Sequence, residues 1–313
     1  MRAATIRDGD IAVQEHPDPE PEAGELLVRV RAAGLNGADM MQLKGAYPAP
    51  PGSPPDIPGL ELAGEVAGLD QGATRFAEGD RVMGIVGGGG QGELAVVHER
   101  QLMPVPEAVG FPAAGGLPEV FTTAHDAIFT QGGLRPGERL LVHGAAGGVG
   151  TAAIQLARAA GAHVTATVRN PNLRAAVAEL GADEVIEPDG FEEHGPFDVV
   201  LELVGAPNLP GDLMALATNG RIVVIGVGAG AKAELNLLAL MGKRARIMAS
   251  TLRARPLEQK AATARAMERE VLPVFERGDL RVPVAETFAL EDVAAAYDRF
   301  AGGGKLGKIL LEL

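Results

Sequence analysis

The spacing of apolar residues divides the chain into two regions. Up to residue 120, apolar and polar positions alternate over short stretches; in residues 25–32, valines at 28 and 30 alternate with arginines at 29 and 31. A period of two is typical of a strand with one buried face. Similar stretches at 61–68, 78–84 and 94–97 are separated by glycine-marked turns. This region therefore predicts a small β-barrel.

From Phe121 onward, longer apolar runs alternate with alanine-rich segments. The runs lie at 140–142, 163–168, 184–186, 198–204, 221–225 and 246–251. Helical patterns lie at 122–129, 151–157, 170–180 and 290–300, and a longer one at 257–277 contains Pro273 as a kink. Apolar strands that alternate with helices predict a parallel sheet covered on both faces. A last strand at 308–311 is expected to return to the first domain.

One connection in the second region predicts a nucleotide site. The buried strand Leu140–Val142 runs into a glycine-rich turn and then into an alanine-rich helix. Glycines let the backbone approach a ligand, and the start of a helix presents unpaired N–H groups and the positive end of its dipole. A pyrophosphate suits such a turn. The expected contact residues are Gly144, Ala145, Ala146, Gly147, Gly148 and Val149.

The G-x-G-x-x-G pattern is imperfect here, because Ala145 stands where its first glycine should be. A tight strand-to-helix connection without a ligand is the alternative. The following strand His163–Val168 completes a right-handed βαβ unit, and this context favours dinucleotide binding.

The residues that follow this second strand predict NADPH. In NAD sites a carboxylate about 20 positions after the glycines binds the ribose 2′-hydroxyl. Here Arg169 ends the strand, Asn170 follows it, and Arg174 lies one turn into the next helix. Guanidinium and amide groups hold a 2′-phosphate, which a carboxylate repels. A charge-assisted contact of roughly 1.5–3 kcal/mol predicts about a 10- to 100-fold preference for NADPH over NADH. The alternative is that Arg169 is a solvated strand end.

Composition narrows the class of protein. A length of 313 residues indicates two domains, and 46% hydrophobic with 22% charged residues is typical of a globular protein. The formal net charge of −13 argues against nucleic acid or an anionic membrane as a partner. The absence of cysteine excludes disulfides and Cys-ligated zinc. There is no signal-peptide pattern and no apolar run of membrane-spanning length, so we expect a cytoplasmic protein.

The sequence also carries a family resemblance, which rests on blocks spread over the whole chain. These blocks are Ala33–Asp39, Gly45–Pro48, Pro58–Glu61, Gly88–Gln91, Pro118–Ala124, Ala145–Gly150, Ser250–Arg253 and Gly307–Ile309. With them the chain resembles the zinc-free, zeta-crystallin-like quinone oxidoreductases of the medium-chain dehydrogenase/reductase superfamily. The closest subgroup is the one typified by the tumour-suppressor-inducible quinone oxidoreductase.

The resemblance implies an α/β fold in which a Rossmann domain, a doubly wound parallel sheet, is inserted in a GroES-like β-barrel domain. The barrel domain is expected at residues 1–118 and 256–313, and the Rossmann domain at residues 119–255.

The same comparison predicts that no metal is bound. Zinc-dependent alcohol dehydrogenases of the superfamily have cysteine where this chain has Asn36 and histidine where it has Leu60. Only Glu61 remains as a ligand, and the six histidines show no paired spacing. Without a Lewis acid, the expected acceptor is an electrophilic quinone, and the next easiest is an α,β-unsaturated carbonyl.

The resemblance also implies roles for individual residues. Asn36 and Asp39 are expected to orient the cofactor or acceptor, and Tyr47 to donate a hydrogen bond or proton. The alternatives are a helix start for the first two and a packed loop aromatic for Tyr47. The remaining expected cofactor contacts are Thr123, the strand-end residues Gly205, Gly226 and Val227, and Leu252 and Lys308.

An edge strand near 246–251 suits the homodimer that the resemblance implies. The function predicted from sequence is therefore NADPH-dependent reduction of a quinone. Two alternatives remain: an enone or alkenal reductase, and an NADPH-binding protein with little turnover.

Overall fold

The computed structural model describes residues 1–313 and divides into two compact units. Unit 1 contains residues 1–122, 252–303 and 308–313, and unit 2 contains residues 123–251 and 304–307. The boundaries expected from sequence, 118/119 and 255/256, remain predictions of where the domains separate. They assign residues 304–307 to the barrel, whereas these four residues belong to unit 2.

The structure contains strands β1 to β15 and helices α1 to α10. The strands are Arg2–Arg7, Asp10–Glu15, Glu25–Gly34, Glu61–Leu69, Arg81–Ile85, Leu94–His98, Leu102–Pro104, Arg139–Val142, His163–Thr167, Glu184–Ile186, Phe197–Glu202, Leu216–Val224, Arg246–Ala249, Val284–Ala289 and Lys308–Glu312. The helices are Gly37–Leu43, Phe111–Gly115, Pro118–His125, Gly148–Ala159, Arg174–Ala178, Leu209–Ala215, Leu237–Lys243, Leu257–Glu270, Leu272–Glu276 and Val293–Ala301.

Unit 1 is built on a seven-stranded sheet. Six strands follow the order β14-β15-β3-β4-β5-β7, and β6 pairs with β3; the hairpin β1-β2 forms a separate two-stranded sheet. In β3, Val28 and Val30 are buried while Arg29 and Arg31 are exposed, which confirms the predicted half-buried strand. The buried valines pack with Leu62 in one apolar core.

The C-terminal strand closes this sheet. Strand β15 pairs antiparallel with β3, with Leu310 opposite Gly34, and parallel with β14. The predicted return of residues 308–311 to the first domain is therefore confirmed, and the pairing buries Lys308 at the start of the strand.

Unit 2 contains a six-stranded parallel sheet in the order β10-β9-β8-β11-β12-β13. The chain moves outward from β8 to β10 and then returns to place β11 on the other side of β8. This reversal is the switch point of a doubly wound sheet, and ligands of such sheets bind where the strands on either side of it end. The fold class predicted from the apolar runs is confirmed.

Several predicted elements differ in their bounds, three of them as follows. The helix expected at 122–129 is α3 followed by a π-helix at Asp126–Gln131. The long helix expected at 257–277 is divided into α8 and α9 at Val271, because Pro273 lies in the first turn of α9. The strand expected at 221–225 begins earlier, at Leu216. None of the helices has the length and apolar character needed to cross a membrane.

Candidate functional site

The glycine-rich turn of unit 2 has the backbone geometry of an anion site. Helix α4 begins at Gly148, and no side chain caps its N-terminus at Gly147. The residues Gly144, Ala146, Gly147, Gly148 and Val149 are partly accessible, and the N–H of Gly147 donates within the turn to the carbonyl of Gly144 at 3.0 Å. The first N–H groups of a helix have no partner within it, and they attract an anion.

Two residues of the turn fix its shape. Gly144 has a φ of 61°, which favours glycine, and a Cβ on Gly150 would lie 2.6 Å from Cα of Ala145. Ala145 itself is fully buried, and its N–H donates to the carbonyl of Thr167 at 3.3 Å. The alanine that breaks the G-x-G-x-x-G pattern therefore packs inward, so any contact it makes with a cofactor must come from its backbone.

A cavity of about 360 Å³ opens beside this turn, entirely within unit 2. We call it the unit 2 cavity. Its lining residues are Gly144, Ala146, Thr167, Val168, Arg169, Asn170, Leu173, Pro188, Val204, Asn208, Gly304 and Lys305. Of the residues predicted to contact the cofactor, Gly144, Ala146, Arg169 and Asn170 line it. Thr167, Asn208 and Lys305 also line it, although no pattern in the sequence predicted these three.

The lining of the unit 2 cavity is positively charged. It contains Arg169 and Lys305 but no aspartate or glutamate, although the chain as a whole carries a net charge of −13. The Arg169 side chain is exposed at the rim. Lys305 follows three consecutive glycines at 302–304, the one local signal that could have drawn attention to this segment.

The other two residues predicted to select NADPH, Arg174 and Asn170, already make hydrogen bonds within the chain. Arg174 donates to the carbonyl of Val168 at 3.2 Å and to Glu187 at 2.9 Å, and it does not line the cavity. Asn170 accepts from the N–H of Asn172 at 3.1 Å and so caps the turn that follows. Arg169 and Lys305 are therefore the two cations that line the cavity, and the Lys305 ammonium also donates to the carbonyl of Gly307 at 3.3 Å.

The predicted strand-end residues of unit 2 lie where β11 and β12 end. A Cβ on Gly226 would lie 2.2 Å from the carbonyl oxygen of Leu203, and one on Gly205 would lie 2.6 Å from that of Gly230. Both glycines therefore allow two neighbouring loops to touch. Val227, in the second loop, is 41% exposed, and Thr123 is buried in α3.

In unit 1, Asn36 belongs to a buried polar cluster with Glu61 and Lys308. The Lys308 ammonium donates to Glu61 Oε1 at 2.6 Å, to Asn36 Oδ1 at 2.7 Å and to the carbonyl of Leu35 at 2.8 Å. Asn36 Nδ2 donates to the same Glu61 oxygen at 2.9 Å. All three N–H groups of Lys308 are thus used inside unit 1, and its contact with the cofactor stays a prediction.

Asp39 lies next to this cluster and is fully buried. Its two carboxylate oxygens accept from the N–H of Asn36 at 2.8 Å and of Gly59 at 3.1 Å. Burial raises the pKa of Asp39 to about 6, although both N–H groups and Lys308 oppose the rise. Asp39 therefore caps the start of α1 and also holds the Gly59 turn.

Tyr47 is half-buried on the loop after α1, and Arg253 holds it in place. The Arg253 guanidinium lies 5.2 Å from the centre of the Tyr47 ring and donates to the Tyr47 carbonyl at 3.1 Å. It also donates to the carbonyl of Gly87 at 2.8 Å and to Gln42 at 2.5 Å. The phenol hydroxyl makes no hydrogen bond within the chain. Leu252, the neighbour of Arg253, is buried in unit 1.

The doubly wound parallel sheet, with a cavity beside its glycine-rich turn, is typical of nucleotide-dependent enzymes of the dehydrogenase class. The chain matches two families, "Alcohol dehydrogenase GroES-like domain" over residues 22–107 and "Zinc-binding dehydrogenase" over residues 148–269.

Similar proteins give the family. Quinone oxidoreductase of Mus musculus is 31% identical over 94% of this chain and 91% of its own length. Acryloyl-coenzyme A reductase of Metallosphaera sedula is 30% identical over 96% and 95%. An alcohol dehydrogenase superfamily protein from Novosphingobium aromaticivorans has a structure that superposes with a TM-score of 0.89, at 30% identity, over 100% of this chain and 99% of that one. The chain belongs to the quinone oxidoreductase family of the medium-chain dehydrogenase/reductase superfamily. It is an oxidoreductase of small molecules that uses a nicotinamide dinucleotide.

The donor atoms of unit 1 do not fit the zinc that the description of the second family implies. At the positions compared above, Leu60 is apolar and Asn36 is an amide. Both Glu61 oxygens already accept hydrogen bonds, Oε1 from Lys308 and Asn36 and Oε2 from the N–H of Glu119 at 2.8 Å. A catalytic zinc site needs three protein ligands, and here the one carboxylate is already paired with a buried lysine.

Proposed function

We propose that this oxidoreductase uses NADPH in preference to NADH and transfers its hydride to a quinone. The observation that carries the cofactor choice is the charge of the unit 2 cavity, where Arg169 and Lys305 are present and no acid is. NAD sites hold the ribose 2′-hydroxyl with a carboxylate, whereas a 2′-phosphate is held by cations.

The remaining cofactor contacts divide by function. The N–H groups at the start of α4 would hold the pyrophosphate, and Gly144 and Ala146 would form the wall beside it. We retain Thr123, Gly205, Gly226 and Val227 as proposed contacts near the ends of the strands. When bound, the reduced nicotinamide supplies the hydride.

The residues of unit 1 favour an acceptor that is already electrophilic. Glu61 and Lys308 form an ion pair, so the Lys308 charge is not left to polarise an unactivated ketone in the way that a metal ion would. A quinone needs little such help, because hydride transfer to it gives a delocalised hydroquinone anion. We propose that Asn36 and Asp39 orient the reactants and that Tyr47 donates a hydrogen bond to the acceptor oxygen.

The test measures the Kd for NADPH and for NADH, and the rate at which each is oxidised with a benzoquinone as acceptor. Both are measured for the wild type and for three variants. Arg169→Ala is expected to raise the Kd for NADPH by about tenfold or more and to leave that for NADH unchanged. Arg174→Ala shows whether Arg174, which is paired with Glu187, contributes to NADPH binding. Arg135→Ala is the matched control, because Arg135 is an exposed arginine of unit 2 before the start of β8. If NADH binds the wild type as tightly as NADPH, the cofactor assignment is wrong.

A second candidate function is reduction of a carbon–carbon double bond next to a carbonyl. Two observations favour it: the Tyr47 hydroxyl has no partner within the chain, and one similar protein is named for reducing acryloyl-coenzyme A. In this reaction a proton must follow the hydride, whereas a quinone accepts hydride without a protein acid. Tyr47→Phe should therefore slow turnover of an enal more than turnover of a quinone. Tight NADPH binding without turnover of either acceptor would instead support a binding protein.

We also propose a homodimer that forms through unit 2. Strand β13 is at the edge of the sheet, and the helix before it, α7, exposes Leu237, Leu238 and Met241. An unpaired strand edge beside exposed apolar side chains is suited to pairing with a second copy.

A further inference from the structure

Three ionisable side chains lie together inside unit 2, directly behind the unit 2 cavity. His143 follows β8, Glu202 ends β11 and Asp212 lies in α6, and none of their side chains is more than 1% exposed. His143 Nε2 lies 2.8 Å from Asp212 Oδ1 and 4.0 Å from Glu202 Oε2. We call these three residues the buried triad.

Each member of the buried triad is linked by a hydrogen bond to a residue that lines the unit 2 cavity. His143 Nδ1 lies 3.1 Å from Thr167 Oγ1. Glu202 Oε1 accepts from the N–H groups of Val204 and Gly205, at 2.5 and 2.7 Å.

Asp212 completes the set through its main chain, because its N–H donates to the carbonyl of Asn208 at 2.9 Å. Thr167, Val204 and Asn208 all line the cavity. The buried triad therefore links three separate segments that would contact the dinucleotide.

Two oxygens of the buried triad, Glu202 Oε2 and Asp212 Oδ2, are buried and have no hydrogen-bond partner. A carboxylate oxygen of each acid lies within 4.8 Å of the other, and the repulsion between two buried charges this close favours a proton on one of the two acids. Burial raises the pKa of Glu202, and the Asp212 charge adds to the rise. His143 and the N–H groups of Gly205 and Val204 oppose it. A proton on one of the two acids would supply a donor, which neither of these two oxygens has among the other groups of the chain.

The other elements packed around the buried triad bring few charges to it. The ring of Phe191 lies edge-on to the His143 imidazole, 4.5 Å between centres, and β9 contributes the uncharged Thr167. A further acid on these elements is Glu192, which follows Phe191 and lies beside Gly211 of α6, where its Oε1 would lie 2.7 Å from a Cβ on that glycine.

We propose that the buried triad positions the walls of the dinucleotide site, and that the proton between Glu202 and Asp212 makes NADPH affinity depend on pH. This inference rests on the proposed function of the cavity. With the proton present, the turn after β11 and helix α6 are held together. When the proton is lost, two buried negative charges repel each other behind Val204 and Asn208, and the affinity for NADPH falls as the pH rises.

The variant that tests this inference is Glu202→Gln. The glutamine Oε1 can still accept from the N–H groups of Val204 and Gly205, and its amide group supplies a permanent donor in place of the proton. The measurement is the Kd for NADPH, from the fluorescence of the reduced nicotinamide, between about pH 6 and about pH 9. For the wild type we expect the Kd to rise with pH by up to about tenfold per unit where the proton is lost.

For Glu202→Gln we expect a Kd close to that of the wild type at low pH and a much flatter profile above it. Any titration of NADPH itself is common to both proteins, so the difference between the curves isolates Glu202. Glu192→Gln, the matched control, should follow the wild type. Asp212→Asn should also flatten the profile, and it gives a second test where the glutamine variant does not fold.

Equal pH slopes in the wild type and Glu202→Gln, or a flat wild-type profile, would overturn the role of the buried triad alone. A stoichiometric metal in the purified protein, found by elemental analysis, would also overturn it, because the two acids and His143 would then be ligands. A wild type that binds no NADPH at any pH would overturn the proposed function and this inference with it.

Discussion

At the residue scale, unit 1 shows how burial changes the chemistry of one side chain. Asp39 is fully buried, and burial raises its pKa from 3.8 to about 6. The charged form is nevertheless the one that the two N–H donors of Asn36 and Gly59 favour. Near neutral pH the chain therefore keeps a costly charge in its interior because that charge organises the start of α1.

This cost gives a prediction for stability against pH. The folded pKa of Asp39 is raised, so its contribution to stability is complete below about pH 4 and is lost as the pH rises through about 6. At about 1.4 kcal/mol per pKa unit, the free energy of unfolding of unit 1 should fall by about 3 kcal/mol across this range on account of Asp39. In Asp39→Asn the fall should be absent.

Urea unfolding at a series of pH values measures this effect. Tyrosine fluorescence reports on unit 1, because both tyrosines, Tyr47 and Tyr297, lie there and the chain has no tryptophan. Asp8→Asn, the same change of charge at an exposed turn, is the control. If Asp39→Asn has the same pH profile as the wild type, burial of the charge is not the cause.

The sequence predicts those site residues whose position depends on local spacing, and it does not predict those that the fold brings in from far along the chain. Arg169 follows directly from the βαβ unit to which it belongs, because its distance from the glycines is set by one helix and one strand. Lys305 lies far away in the chain and reaches the same cavity only through the fold of unit 2. Arg174 has the right charge and position, but a local partner, Glu187, already pairs with it. The sequence cannot rank such competing partners.

At the scale of elements, the buried pair Glu61–Lys308 joins the first residues of β4 and β15. Their side chains are 0% and 3% exposed, and Gly34 on β3 leaves the space they need, since a Cβ there would lie 2.2 Å from Glu61 Oε1. Removing one partner of a buried pair leaves the other charge uncompensated, which costs about 3–5 kcal/mol. Lys308→Met should therefore destabilise unit 1 by about that amount.

The double variant Glu61→Gln with Lys308→Met separates charge from packing. It removes both charges, so it should recover most of the loss caused by Lys308→Met. Urea unfolding followed by tyrosine fluorescence measures both proteins. A double variant less stable than Lys308→Met would mean that hydrogen bonds of Glu61 other than its ion pair hold these strands together.

Elements were predictable where a pattern is local. The six apolar runs predicted the parallel sheet of unit 2, because strands buried on both faces have few polar residues. The kink predicted at Pro273 is present as the break between α8 and α9, whereas the π-helix after α3 was not predicted, since the apolar spacing continues through it. The pairing of β15 with β3 and β14 shows only in three dimensions, and it decides that Lys308 is buried.

At the scale of the whole molecule, the free edge of unit 2 predicts how two copies associate. Leu238 and Met241 on α7 are 79% and 70% exposed, and β13 offers unpaired backbone groups beside them. A two-fold axis through this edge would use each side chain twice, and burying one leucine or methionine is worth about 1.5–3 kcal/mol. Leu238→Glu should therefore convert the proposed dimer to a monomer at micromolar concentration, because it removes apolar area and places two like charges near the axis. Sedimentation equilibrium measures the mass, and Leu69→Glu, at an exposed leucine of unit 1, should remain dimeric. A wild type that sediments as a monomer would leave the apolar face of α7 exposed in solution, so the proposed dimer would be wrong.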